Sequence, residues 1–126
     1  MSKYHSRKIT WDGIKFDSRK EYQRYCELLL LEKAGKISDL QMQVKFLLLP
    51  AQYETLPRYG KNGKQLKGRK KLIEREVSYI ADFVYKLNGE TVVEDVKGYK
   101  GGSAYSIFAL KRKLMLHVHG IRIRET

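Results

Sequence analysis

Cysteine, acidic residues and long apolar runs are what this sequence has least of. A single cysteine, Cys26, in 126 residues excludes an intrachain disulfide, and with it the stapled secreted scaffolds. It lies in a helical pattern with no histidine nearby in sequence, so it reads as a small core residue in a reducing compartment rather than as a nucleophile. The longest leucine block, Leu28 to Leu31, is far short of the ~20 apolar residues that span a bilayer. The first residues are polar and basic with no apolar run behind them. That is not a signal-peptide pattern, and a cytoplasmic protein is expected. Acids are outnumbered: 14 Asp plus Glu stand against 26 Lys plus Arg, a formal charge of +12. Such an excess marks a nucleic-acid binder. The alternative, an anionic membrane surface, would need a basic amphipathic helix with a broad apolar face, and none is evident. Three histidines, His5, His117 and His119, fit no zinc-ligand spacing and are expected at the surface.

What the sequence does have is 42% hydrophobic residues and nine tyrosines, enough for one folded domain over residues 1–126 without metal or disulfide staples. Residues 1–8 read as a loosely held basic segment. Ile9 to Phe16 reads as a short hairpin about Asp12-Gly13, with Trp11 as its apolar anchor. Ser18, with Glu21 three residues on, forms a capping-box pattern, and Gly35 offers a left-handed stop. Between them Tyr22, Tyr25, Cys26 and Leu29 share one helical face, widened by Leu28 and Leu30. Ser38 to Leu40 reads as a turn, and Gln43 to Leu49 as a strand ended by Pro50. The stretch from Arg58 to Arg75 carries eight basic residues and one acid, Glu74, with glycines at 60, 63 and 68. It reads as a loop or hairpin extension over about 54–75, either solvated or laid along a phosphate backbone through Lys67, Arg69, Lys70 and Lys71.

The organising stretch is Tyr79 to Gly98. Asn88-Gly89 between runs rich in Val, Tyr and Phe predicts a tight hairpin. Asp82 stands inside its first strand, where apolar neighbours disfavour an aspartate unless it has a buried partner or a ligand to hold. Asp95 and Lys97 close the second strand on one side of the sheet. Glu94 points the other way, either outward or to a basic partner. A second helix is expected from Ser103 to about His119, stopped by Gly120, with Ile107, Leu110, Leu114 and Met115 on its buried stripe. A last short strand is expected at Ile121–Ile123. The order hairpin-α-β-β-β-α-β describes an α/β sandwich, a mixed central sheet flanked by helices.

Four stretches carry a resemblance: FDSRKEYQRY (16–25), ISDLQMQVKF (37–46), VSYIADFVY (77–85) with VVEDVKG (92–98), and ALKRKL (109–114). An acid on the first helix and D…DxK on the central hairpin resemble the PD-(D/E)xK nuclease superfamily, whose fold is restriction-endonuclease-like. Within it the chain is similar to small phage-encoded endonucleases regarded as Holliday junction resolvases. The residue before Asp82 is Ala81, where the superfamily's name has a proline. The resemblance implies Asp82 and Asp95 as catalytic, metal-binding acids, Glu21 as the helix-borne carboxylate completing the cation site, and the Val96 carbonyl as a further ligand. Lys97 is implied as the lysine that orients or deprotonates the attacking water. It also implies Mg²⁺, with Mn²⁺ as a substitute, and a homodimer acting on branched four-way DNA. Lys100, Lys111 and Lys113 would join the loop cations as phosphate contacts. From the residues alone, Glu21 is equally well a helix cap, Lys97 an ion-pair partner of Asp95, and Gln43 a plain strand residue or one aimed into the cleft. A non-catalytic DNA-binding module of the same fold, and a nicking, flap-directed or sequence-specific endonuclease, remain alternatives.

Overall fold

A computed structural model describes residues 8–11, 13–98 and 100–126. The expectations for residues 1–7, His5 among them, and for Asp12 at the first turn lie outside the described residues. A short hairpin, β1 (Ile9–Trp11) and β2 (Ile14–Phe16), leads into α1 (Arg19–Lys33). Then come β3 (Ser38–Leu49), the pair β4 (Gln52–Tyr59) and β5 (Gln65–Glu74), β6 (Val77–Leu87), β7 (Glu90–Asp95), α2 (Gly102–His119) and β8 (Arg124–Glu125). The main sheet has the order β3-β6-β7-β8, antiparallel except for the parallel β7–β8 pair. The architecture is mixed α/β, in the expected order with β4–β5 as a separate two-stranded ribbon.

The helices cover opposite faces of that sheet. Val92 and Val93 are consecutive in β7 and so point to opposite sides. Val92 packs with Leu28 of α1, Phe83 and Tyr85, whereas Val93 packs with Phe108 and Met115 of α2. Ala81 and Phe83, two apart on β6, nonetheless fall in different clusters: Ala81 under α2, Phe83 under α1. The change comes at Asp82, which by the β3–β6 register lies opposite Gln43, between the pairs Met42–Phe83 and Val44–Ala81. Gln43 has a left-handed φ of 52°, a conformation that costs a non-glycine residue about 1 kcal/mol or more and tends to sit at functional sites. The sheet is kinked where the first strand carboxylate stands.

Local sequence signals account for most element ends. Asn88 and Gly89 both have positive φ (52° and 82°), the type I′ geometry that matches strand twist. The Ser18 hydroxyl accepts the Glu21 N–H at 3.1 Å and caps α1, and Gly120, at φ 68°, ends α2. Several expectations are corrected. Ser38 to Leu40 is not a turn but the start of β3, whose register shift lies between Ser38 and Gln41. Leu28 is the buried centre of α1, whereas Leu30 is 69% exposed. On α2 the covered stripe runs through Phe108 and Met115, and Ile107 and Leu110 are exposed, because the helix is rotated so that Phe108, itself against Tyr105, meets Tyr79. The last strand is Arg124–Glu125, with Ile123 tucked into the core just before it. Trp11 lies at the surface, edge-on to Tyr22 and Tyr25. No helix among the described residues is long and apolar enough to cross a membrane.

The β4–β5 strands pair only with each other, and every residue in them except Leu56 and Gly68 is exposed. Gly68 lies beside the register shift, and a Cβ there would meet Thr55 Cγ2 at 2.4 Å and the Leu56 carbonyl oxygen at 3.1 Å. Gly68→Val is therefore expected to splay the ribbon and leave the core intact. Hydrogen exchange should quicken at residues 52–59 and 65–74 with the melting temperature within about 2 °C of wild type. Unchanged protection there would show that the ribbon tolerates the side chain.

Candidate active site

Four elements bring polar side chains to the kink. Glu21 comes from the first turn of α1, Gln43 from β3, Asp82 from β6, and Asp95 with the following Val96 and Lys97 from the end of β7. The Gln43 amide bridges two of the acids, with Nε2 3.3 Å from Glu21 Oε1 and 3.4 Å from Asp82 Oδ1. The Val96 N–H donates to Asp82 Oδ2 at 2.8 Å, so Asp82 is balanced by amide donors and not by a basic side chain. Asp95 accepts the Tyr79 hydroxyl at 2.7 Å and lies 2.8 Å from Lys97 Nζ. That amine rests over the Phe108 ring, 3.4 Å from its centroid, a cation–π contact in a largely covered position.

The electrostatics separate these groups. Glu21 is 4% exposed. Burial, then the charges of Asp82 and Asp17, raise its carboxyl from 4.5 to about 7. Burial, and more weakly Asp95, raise Asp82 from 3.8 to about 6, against the pull of the Val96 N–H, Gln43 and Lys97. Neither acid has a salt-bridge partner among the described residues. Burial also raises the Tyr79 phenol, helped by Asp95, so it stays a proton donor to that carboxylate. Glu94, fully buried on the opposite face, is the contrast. Burial pushes its carboxyl up, but two 2.7 Å bonds from Arg24 and one from the Tyr85 hydroxyl outweigh that and hold it below the usual range.

The sequence-derived residues are thus distributed as follows. The charges of Asp82 and Asp95 both raise the Glu21 carboxyl, and that of Asp95 raises Asp82; Glu21 both opens a capped helix and faces the cluster. Among the described residues no group of three His, Cys, Asp or Glu side chains is disposed to hold a metal ion as it stands. Gln43 separates Glu21 from Asp82, and Asp95 is engaged by Tyr79 and Lys97. The contact made by Val96 is through its N–H. Of the expected phosphate contacts, Lys100 lies 3.9 Å from Glu125. Lys111 lines a cavity of about 360 Å³ with Tyr79, Ile80 and Phe108, beside the Asp95 pair. Lys113 borders another with Arg112 and Arg122. Lys67, Arg69, Lys70 and Lys71 lie on the ribbon, away from the main sheet. Glu94 is paired with a basic residue and not outward-facing. Arg24, Tyr79 and Phe108 were not anticipated. Arg24 follows Glu21 by one helical turn, a spacing that could have flagged it, whereas Tyr79 and Phe108 read as plain core aromatics.

These shifts make stability fall as pH rises. Both acids bind protons more tightly folded than unfolded, so between about pH 4 and pH 7 the native state holds more protons and each unit of pH erodes it. The melting temperature is expected to be lower at pH 8 than at pH 5, and Glu21→Gln should flatten that dependence. A wild-type profile that rises with pH would contradict the cluster's electrostatics.

No curated protein and no solved structure matches this chain. A family model described as a protein of unknown function (DUF1064) matches residues 1–122. Nearly the whole described domain, with Glu21, Gln43, Asp82, Asp95 and Lys97 inside it, falls within that match, and the chain belongs to the DUF1064 family.

Proposed function

We propose that the chain is a metal-dependent DNA endonuclease with a restriction-endonuclease-like fold, acting as a homodimeric phage resolvase on four-way junctions. The observation that carries this reading is the Glu21–Asp82 pair. One buried and one half-buried carboxylate share one amide, lie close enough for the charge of Asp82 to raise Glu21, and have no salt-bridge partner among the described residues, in a chain of net charge +12. Such a pair is relieved either by a proton or by a hard cation with oxygen ligands. The donor chemistry suits magnesium, and manganese in its place, held by Glu21, Asp82 and Asp95 with the Val96 carbonyl. Turning the Gln43 amide would offer an oxygen where its N–H now lies. When bound, the cation would neutralise charge on the scissile phosphate and lower the pKa of a water.

The chain's own residues supply the rest. Tyr79 and Lys97 fix Asp95 from two sides. Lys97 would then orient the attacking water or take its proton, on leaving Asp95 when substrate binds. Lys111, beside the same aromatic residues, would meet a phosphate oxygen. Two observations favour a second reading, a DNA-binding module without catalysis: Lys97 is held by both Asp95 and Phe108, and among the described residues no three-acid ligand group is assembled.

Asp82→Asn and Asp95→Asn are each expected to abolish Mg²⁺-dependent cleavage of a synthetic four-way junction while leaving DNA binding within about threefold. Wild-type protein that binds the junction but never nicks it selects the non-catalytic reading. Equal cutting of the matching linear duplex removes the junction preference and leaves the endonuclease.

A further inference from the structure

The ribbon β4–β5 has two unlike faces, and its register sorts its cations. Cross-strand partners in an antiparallel pair point to the same side, and residues two apart on one strand do likewise. The pairs Tyr53–Leu72 and Thr55–Lys70 therefore share one face, and Lys70 Nζ lies 6.0 Å from the centre of the Tyr53 ring. Glu54–Lys71 and Leu56–Arg69 share the other, which Arg58, opposite Leu66, continues across the register shift. The cluster Lys67, Arg69, Lys70 and Lys71 is thus not a single patch. Arg58, Arg69 and Lys71 project together, and Lys70 projects away with the tyrosine.

We infer that this Arg58–Arg69–Lys71 face is the DNA-contacting surface of the ribbon, and that it enters the major groove of a double helix. The inference rests on the nuclease reading for its polyanionic partner and adds where and how the ribbon touches it. Three features argue for a groove. The ribbon pairs with no other strand and is exposed on both faces, so it projects free of the body. Two paired strands about 4.8 Å apart, with their side chains, match a major groove about 12 Å wide, one of the two shapes that groove admits, and overfill a minor groove about 6 Å wide. Two guanidinium groups on the inserted face bring the donor forks that pair with guanine edges and phosphate oxygens. The occupant is duplex DNA. A-form RNA offers only a deep, narrow major groove, and against Arg58, Arg69 and Lys71 this face carries Glu54 and, opposite Gln52, Glu74, so its net charge stays positive.

The test is fluorescence anisotropy of the full chain with a short labelled DNA duplex, the same sequence as duplex RNA, and its single strand, across a salt series. All substitutions fall at exposed ribbon positions, and melting curves verify that each variant folds. The DNA duplex should bind tightest. Arg58→Ala, Arg69→Ala and Lys71→Ala should each lower the salt slope by about 0.9, and the triple variant should lower affinity at least about tenfold. Lys70→Ala, which removes the same charge from the opposite face, should lower the slope by less than half as much as Lys71→Ala. A ligand that fills the major groove should compete with the protein, and one that fills the minor groove should not. Equal losses from the two faces, competition by the minor-groove ligand, or tighter binding of the RNA duplex would overturn the groove assignment while leaving a DNA-binding protein. Unchanged slopes in all the variants would take the ribbon off the DNA. A wild-type chain that binds none of the three nucleic acids would remove the nuclease reading itself.

Discussion

Two consecutive carboxylates, Glu94 and Asp95, lie in a strand buried on both faces, 0% and 7% exposed. Each must be satisfied from a different layer, because neighbours on a strand point opposite ways, and an unpaired buried charge costs several kcal/mol. Glu94 is met by Arg24 of α1 and by Tyr85. Asp95 is met by Tyr79 and by Lys97, whose amine is in turn seated on Phe108 of α2. One dipeptide thereby ties both helices to the sheet. The Arg24 clamp also fixes the turn of α1 that carries Glu21, three residues earlier. The position of the acid cluster follows from how β7 satisfies its own charges.

The cluster itself is left unsatisfied by comparison. Glu94 has a guanidinium, but among the described residues Glu21 and Asp82 have only amide donors, and their carboxyls are raised where that of Glu94 is lowered. The chain does not lack cations: it has 26 basic residues, and eight of them lie between Arg58 and Arg75, mostly on a ribbon outside the sheet. Positive charge is spread over the exposed ribbon while negative charge is concentrated in the kink. That separation suits a polyanion that approaches the basic surface and must reach acids that would repel it.

What was legible in the sequence tracks how local the cause is. Ser18, Asn88-Gly89 and Gly120 act through the backbone within a few residues, and the elements they bound are where the pattern places them. The tertiary choices were not legible. Ile107 and Leu110 fit a helical stripe as well as Phe108 does, and only the docking of Phe108 against Tyr79 decides which stripe is covered. Gln43 was ambiguous for the same reason. Its left-handed φ, between the pairs Met42–Phe83 and Val44–Ala81, has no signal in its own segment, since nothing in QMQVKF marks a kink. Asp82 in an apolar strand was the one site residue whose oddity showed directly, and it stands at that kink. Its answering group, though, proved to be a backbone N–H and an amide, invisible to any search for a complementary charge.

The kink joins these points. A regular β3–β6 ladder would keep Ala81 and Phe83 on one face and direct the side chains between them, Asp82 and its opposite Gln43, squarely to the other. Reversing the alternation there lets one pair of strands serve a different helix at each end, and it leaves the reversal point with no layer of its own to fill it. An apolar residue at that point would lack packing partners on either side. A polar side chain with donors and acceptors in reach can be satisfied there, which is why a strained glutamine and a strand aspartate are sustained opposite each other at this point.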